Sequence, residues 1–134
     1  MPSKDRLHDS VVKTLRAAGC AVLKEQVEVI LPSRRLWIDL MVQRGSDEAI
    51  VLIEIKGFDA KSQVEYLSHT VGQYMLYRSS LRYLEITLPL YLAVPIQAYN
   101  GILSEALGMH VIAEYQISLV VFDPQQEEII AWYP

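Results

Sequence analysis

The sequence has few of the residues that mark disulfide-stabilised or membrane-embedded proteins. Cys20 is its only cysteine, so no intramolecular disulfide can form, and a small buried side chain is a better interpretation of it than a catalytic thiol. No run of about 18 apolar residues is present, so no membrane helix is predicted. The first residues are polar and lack the apolar stretch of a signal peptide. Together these features predict a cytoplasmic protein that does not associate with membranes.

Patterns of several common catalytic sites are also missing. The chain has no glycine-rich phosphate loop, no nucleophile-triad pattern and no Cys/His metal cluster, which disfavours the small-molecule enzymes that use them. With 134 residues, 51% of them hydrophobic, it can bury a sizeable core. We therefore predict a single domain over residues 1–134.

Basic residues are absent from the last part of the chain. All 12 Lys and Arg residues lie at or before Arg82, with ten of the 16 acidic residues, so residues 1–82 carry +2 and residues 83–134 carry −6. The overall charge of −4 argues against a strongly basic nucleic-acid-binding protein. If DNA binds, its phosphates should meet the first segment. The candidate contacts, each otherwise an ordinary surface residue, are Arg34, Arg35, Arg44, Lys61 and Arg78.

Two apolar runs contain charged residues that the surrounding pattern does not explain. Asp39 lies in the middle of Leu36–Val42, where an unpaired carboxylate would be costly to bury. The run Ala49–Gly57 is rich in β-branched residues and ends with Glu54 and Lys56. Because side chains alternate between the two faces of a strand, Glu54 and Lys56 project side by side.

The spacing of the two runs favours a hairpin that brings the acidic residues together. If Gln43 pairs with Ile50 across the turn-like residues 44–49, Asp39 lies opposite Glu54. Two adjacent carboxylates repel each other unless a cation or a shared proton relieves them, and oxygen ligands favour Mg²⁺ or Mn²⁺. A lysine beside such a metal predicts phosphodiester hydrolysis. The alternative is an ion pair between Lys56 and one of the acids, without catalysis.

Hydrophobic periodicity and turn signals predict an α/β fold. The expected arrangement is an αβββαβ core with a mixed central sheet flanked by helices, followed by a C-terminal hairpin extension. Ser3 is the predicted N-cap of the first helix. The predicted helices cover residues 3–18, 62–81 and 98–107, and the predicted strands cover residues 27–31, 36–43, 50–56, 86–94, 117–122 and 128–132.

Helical spacing predicts which side chains face the core. On the first helix these are Leu7, Val11, Leu15 and Ala18, and on the long helix they are Val64, Leu67, Val71, Tyr74 and Leu81. A second stripe of the long helix carries Tyr66, Thr70, Gln73 and Tyr77. The dense apolar runs Leu88–Val94 and Ile117–Phe122 fit either buried central strands or a surface covered by a homodimer or another protein.

Several short motifs carry a resemblance to known families. Asp39 followed by Glu54-Ile55-Lys56 resembles the PD-(D/E)xK pattern of restriction endonuclease-like nucleases, with Ile38 in place of proline. Nearly the whole chain resembles the fdxN element excision controlling factors of the XisH type. The matching pieces are Lys4-Asp5 with His8-Asp9, Ile38-Asp39-Leu40, Glu54-Ile55-Lys56, residues 72–78, Val94-Pro95, and Val121-Phe122-Asp123-Pro124 through Trp132.

The resemblance implies a restriction endonuclease-like fold, cyanobacterial DNA excision or recombination, and a Mg²⁺-dependent endonuclease site. Asp39 and Glu54 would bind Mg²⁺ or Mn²⁺ together with the Ile55 carbonyl. Lys56 would position or activate water, and Gln73 would support it, although Gln73 could instead be a core residue bonded to backbone. A non-catalytic excision control scaffold that binds a small partner protein or a recombination complex is the alternative.

Three further polar residues are possible members of the site. His8 and Asp9 lie near the start of the first predicted helix, and Glu25 could add another carboxylate. Each of them also fits an ordinary role as a helix cap, a surface charge or a hydrogen-bonded polar group. We therefore do not include them in the predicted catalytic set.

Overall fold

The order of helices and strands in the computed structural model, which describes residues 6–45 and 47–134, matches the predicted core and closing hairpin. A 3-10 turn separates the two short helices of the C-terminal half. The elements are α1 Arg6–Ala17, β1 Ala21–Ile30, β2 Arg35–Gln43, β3 Ile50–Ile55, α2 Gln63–Tyr83, β4 Leu90–Pro95, α3 Ile96–Asn100, the 3-10 turn Ile102–Ser104, α4 Ala106–Glu114, β5 Ser118–Asp123 and β6 Glu128–Tyr133.

The six strands form one mixed sheet in the order β1-β2-β3-β4-β5-β6. The pairs β3–β4 and β4–β5 are parallel, and the other three neighbouring pairs are antiparallel. Every residue of β4 is buried, as expected for a parallel strand that is covered on both faces. The mixed sheet flanked by helices is therefore confirmed.

Helices cover both faces of the sheet. Val11 and Leu15 of α1 pack with Leu40 and Ile53 on one face. On the other face, the buried side of α2 packs with the side chains of β4 and β5. In the described part of the chain, no helix combines the length and the apolar character needed to cross a membrane.

Three predicted boundaries were wrong, each for a local reason. β1 begins at Ala21 rather than at residue 27, because an edge strand tolerates the polar residues that hid its start. The strand predicted from residue 86 begins at Leu90, since Glu85 adopts a φ of 58° that turns the chain. The helix predicted over residues 98–107 is divided between α3 and α4. The predicted N-cap Ser3 lies outside the described residues.

The predicted core faces are mostly correct. Val64 is an error because it lies in the first turn of α2 and is 58% exposed, and Ala18 is an exposed residue beyond the end of α1. The apolar runs Leu88–Val94 and Ile117–Phe122 contribute the central strands β4 and β5, which favours the buried-strand interpretation. Exposed large apolar side chains lie both on helices, such as Leu76 and Met109, and on the other strands, such as Ile30 and Ile130.

Candidate active site

The two acidic residues meet where the main-chain pairing of β2 and β3 ends. The predicted pairing of Gln43 with Ile50 is present, and the ladder runs as far as Leu40 and Ile53. One residue further along, the Asp39 N–H donates to Glu54 Oε1 at 3.2 Å, and Asp39 Oδ2 accepts from the Ile55 N–H at 2.8 Å. Each carboxylate thus connects its own strand to the neighbouring one.

Lys56 and Gln73 join this pair of acids. The Lys56 ammonium nitrogen lies 3.8 Å from Glu54 Oε2 and donates to Gln73 Oε1. Gln73 Nε2 in turn donates to the Tyr77 hydroxyl oxygen at 3.1 Å. The structure therefore brings the four side chains of the predicted catalytic set together. In the described chain, the Gln73 amide bonds to the side chains of Lys56 and Tyr77. This differs from the alternative in which Gln73 is a core residue bonded to the backbone.

The site has an unusual electrostatic state. Only 8% of the Glu54 side chain is exposed, and this burial, reinforced by the nearby Asp39 carboxylate, raises the pKa of Glu54 to about 8. The Lys56 ammonium acts in the opposite direction but does not cancel these effects. A cation between the two carboxylates would offset both the cost of burying the charged form of Glu54 and the repulsion between the two negative charges.

A cavity of about 600 Å³ opens onto these residues. Asp39, Glu54 and Lys56 line one side of it, and the start of α1 supplies Arg6 and His8 on another side. The buried His8 side chain is held by Glu25, with 2.8 Å between His8 Nε2 and Glu25 Oε1. His8 therefore belongs to the cavity wall and Glu25 supports it. Asp9 is exposed and does not line the cavity.

The donor set fits Mg²⁺ or Mn²⁺ better than zinc. The described residues contain no group of three or more His, Cys, Asp and Glu side chains suited to a metal. Structural zinc sites need four protein ligands and catalytic ones need three. Mg²⁺ is commonly bound by one or two carboxylates and keeps several waters, so Asp39 and Glu54 would suit it, with the Ile55 carbonyl as the predicted further ligand.

Three of the five candidate DNA contacts are engaged within the protein. Arg35 pairs with Glu28 at 3.1 Å, and the Arg44 guanidinium lies 4.2 Å from the centre of the Trp132 ring. Arg78 donates to main-chain carbonyls at the end of α4. Arg34 and Lys61 are exposed, and Lys61 follows the cavity-lining Asp59 by two residues.

Sequence reasoning assigned no role in the site to Tyr77 or Tyr66. Tyr77 contacts Gln73 and is buried, and Tyr66 lines the cavity. The available signal was their place on the same helical stripe as Gln73. That spacing showed which face of the helix they share, but it did not show that the face meets Lys56.

Comparisons with known proteins agree with this architecture. The structure is similar to the crystal structure of an XisH family protein from Nostoc punctiforme PCC 73102, with a TM-score of 0.88, 25% sequence identity, and coverage of 97% of this chain and 100% of that chain. It is also similar to the crystal structure of an fdxN element excision controlling factor protein from Anabaena variabilis, with a TM-score of 0.89, 26% identity, and coverage of 98% and 100%.

Sequence comparisons give the family. None of the curated proteins matches the chain. The sequence model of the XisH protein family matches residues 1–130, which is nearly the whole chain. The protein therefore belongs to the XisH family.

Proposed function

We propose that this protein is a metal-dependent nuclease that acts in DNA excision. Its site for phosphodiester hydrolysis would consist of Asp39, Glu54 and Lys56. The main observation behind this proposal is that two carboxylates and a lysine converge beside one cavity, with the Glu54 carboxylate buried. A solved relative that is 26% identical is described as an excision controlling factor, which supports the proposed biological setting.

The two acids would hold Mg²⁺ or Mn²⁺, with the Ile55 carbonyl as a further ligand. Bound there, the metal would polarise the phosphate and lower the pKa of a bound water. Asp39 and Glu54 are fixed for this task because each accepts a main-chain N–H from the neighbouring strand. Their oxygens therefore need little reorganisation when a cation binds.

Lys56 would act as a positioned cation near the scissile phosphate. Gln73 Oε1 and Glu54 Oε2 both face its nitrogen, and such an arrangement of acceptors suits an ammonium donor. The charge would orient the attacking water or stabilise negative charge that develops on the phosphate. Gln73 keeps the ammonium at the cavity wall, since lysine is otherwise a flexible side chain.

The second carboxylate beside the Lys56–Glu54 pair supports a metal site rather than a simple ion pair. A single pair of Lys56 with Glu54 at 3.8 Å would be better served without a second carboxylate, because Asp39 raises the cost of ionising Glu54. The presence of both acids at the end of one ladder thus supports a site for an additional cation.

The test is DNA nicking by the purified protein with Mg²⁺, Mn²⁺ or EDTA. Lys56→Ala should reduce the rate by roughly 100-fold or more, as expected for loss of a donor that acts on transition-state charge. Lys13→Ala, which removes a lysine of α1 whose side chain is 75% exposed and which is not a candidate DNA contact, is the control and should keep a comparable rate. Unchanged cutting by Lys56→Ala, at equal folded concentration, would contradict the mechanism.

A second candidate function is a non-catalytic excision control scaffold that binds a small partner protein. Exposed apolar side chains of α4 favour it, because Leu107 is 51% and Met109 is 59% exposed. The two functions differ in an excision assay in a host that depends on this protein. A scaffold would keep excision in Lys56→Ala and lose it in Met109→Asp, whereas a nuclease would show the reverse.

A further inference from the structure

We infer that Tyr77 is a positioning residue of this site: its hydroxyl anchors the Gln73 amide so that the amide oxygen faces Lys56. The inference rests on the proposed hydrolytic function and extends it by one residue. Tyr77 is not among the residues that line the cavity, and its hydroxyl contacts the Gln73 amide, so we infer that it acts through Gln73.

The contacts of the Gln73 amide carry the inference. A primary amide accepts at its oxygen and donates at its nitrogen, so its orientation matters between two polar neighbours. Gln73 Nε2 donates to the Tyr77 hydroxyl oxygen at 3.1 Å, and Gln73 Oε1 accepts from the Lys56 ammonium. The reverse orientation would place two donors, the amide nitrogen and the ammonium, against each other.

Tyr77 is suited to be a fixed and neutral acceptor. It lies one helical turn after Gln73 on α2 and is only 8% exposed. Burial, followed by the negative charges of Glu54 and Asp39, raises the pKa of Tyr77 to about 12. The hydroxyl therefore keeps its proton throughout the range in which nucleases work, and its oxygen remains an uncharged acceptor for the amide.

Removal of that oxygen would affect the ammonium indirectly. Gln73 Nε2 would lose its partner in a part-buried place, and an unsatisfied donor there favours other rotamers of the glutamine. Lys56 would then lose the fixed acceptor that holds its nitrogen at the cavity wall. Misplaced catalytic groups lower the rate of the chemical step rather than the affinity for substrate.

The chain supplies a matched pair of variants for the test. Tyr77→Phe deletes only the hydroxyl beside Gln73. Tyr74 lies on the same helix and is 2% exposed, and its hydroxyl donates to the Leu90 carbonyl at 2.7 Å. Tyr74→Phe deletes this hydroxyl. Tyr77→Phe should lower kcat for DNA cutting roughly three- to tenfold at an unchanged KM. Tyr74→Phe should lower the melting temperature but keep kcat.

A double variant tests whether Tyr77 acts through Gln73. Gln73→Ala removes the intermediate amide, so Gln73→Ala combined with Tyr77→Phe should cut DNA no more slowly than Gln73→Ala alone. If the rate reductions of the two single variants multiply in the double variant, Tyr77 acts independently of Gln73 and the inference is overturned.

An NMR measurement on the metal-free protein separates this inference from the proposed function. Hydrogen exchange of the Gln73 side-chain amide should be slow in wild type, faster in Tyr77→Phe, and slow in Tyr74→Phe. If wild type fails to cut DNA, the proposed function fails, but the amide exchange still decides whether the anchor exists. Unchanged exchange in Tyr77→Phe overturns the anchor, and an unchanged kcat in an active enzyme overturns the positioning role.

Discussion

The buried Glu54 carboxyl makes the metal-free protein less stable as the pH rises. Its pKa is about 8 in the folded chain and 4.5 in the ordinary reference state. Between these values, the folded state binds a proton that the unfolded state has released. The free energy of unfolding must then fall with increasing pH, so this contribution is fully present below about pH 4.5 and is lost as the pH passes 8.

The size of the effect follows from the displacement of the pKa. Each unit corresponds to about 1.4 kcal/mol, so the interval from 4.5 to about 8 gives at most about 5 kcal/mol. Little solvent screening is expected because only 8% of the Glu54 side chain is exposed. Glu54→Gln removes the titrating group, and its amide oxygen can still accept the Asp39 N–H.

Urea unfolding in EDTA at several pH values from 5 to 9 measures this dependence. Wild type and Glu54→Gln should have similar stability near pH 5, and the variant should be more stable by a few kcal/mol near pH 8. Saturating Mg²⁺ should flatten the wild-type curve if the two acids hold the metal. Parallel pH curves of the two proteins in EDTA would refute the assignment of a protonated, buried Glu54.

Two further predictions concern metal binding at Asp39 and the role of the Arg78 guanidinium on α2. Asp39→Asn keeps an acceptor for the Ile55 N–H but removes one negative charge, so the metal-free variant should melt no lower than wild type. Mn²⁺ at about 100 times Kd should stabilise the wild-type protein by about 2.7 kcal/mol, and calorimetry should show that Asp39→Asn loses most of this stabilisation. Equal melting shifts in the two proteins would show that the ion binds elsewhere. Arg78→Ala should cost about 1–3 kcal/mol of unfolding free energy without weakening DNA binding, because Arg78 donates to the carbonyls of Tyr115 and Gln116 at 2.8 and 3.2 Å. The exposed Arg82→Ala is its control, and weaker DNA binding by Arg78→Ala alone would show that the guanidinium contacts phosphate.

The site geometry was predictable where it depends on strand parity. The alternation of side chains and the short turn favoured a hairpin in which Gln43 pairs with Ile50, and this pairing brings Asp39 to Glu54. The contact between His8 and Glu25 was not predictable in this way. It depends on how α1 packs over the sheet, and helical periodicity shows which side of a helix is apolar without showing where the helix lies.

The same limit explains the errors outside the site. Val64 continues an apolar stripe of α2, yet it lies in the first turn of the helix and is 58% exposed. The beginning of β1 was missed because an edge strand that is partly exposed shows a mixed pattern. Periodicity is therefore most reliable for elements that are covered over their full length, such as β4 and β5.

The hydrogen bonds of Asp39 and Glu54 to main-chain N–H groups affect how sequences of the family should be interpreted. These bonds give both acids a part in joining β2 to β3, so selection for folding alone would keep an acceptor at each position. Selection for folding places no such demand on the Lys56 side chain, whose bonds in the described chain are to Glu54 and Gln73. During evolutionary decay of catalysis, the lysine should disappear first while the acids, or their amides, persist. Position 56 is therefore the more informative marker of an active family member.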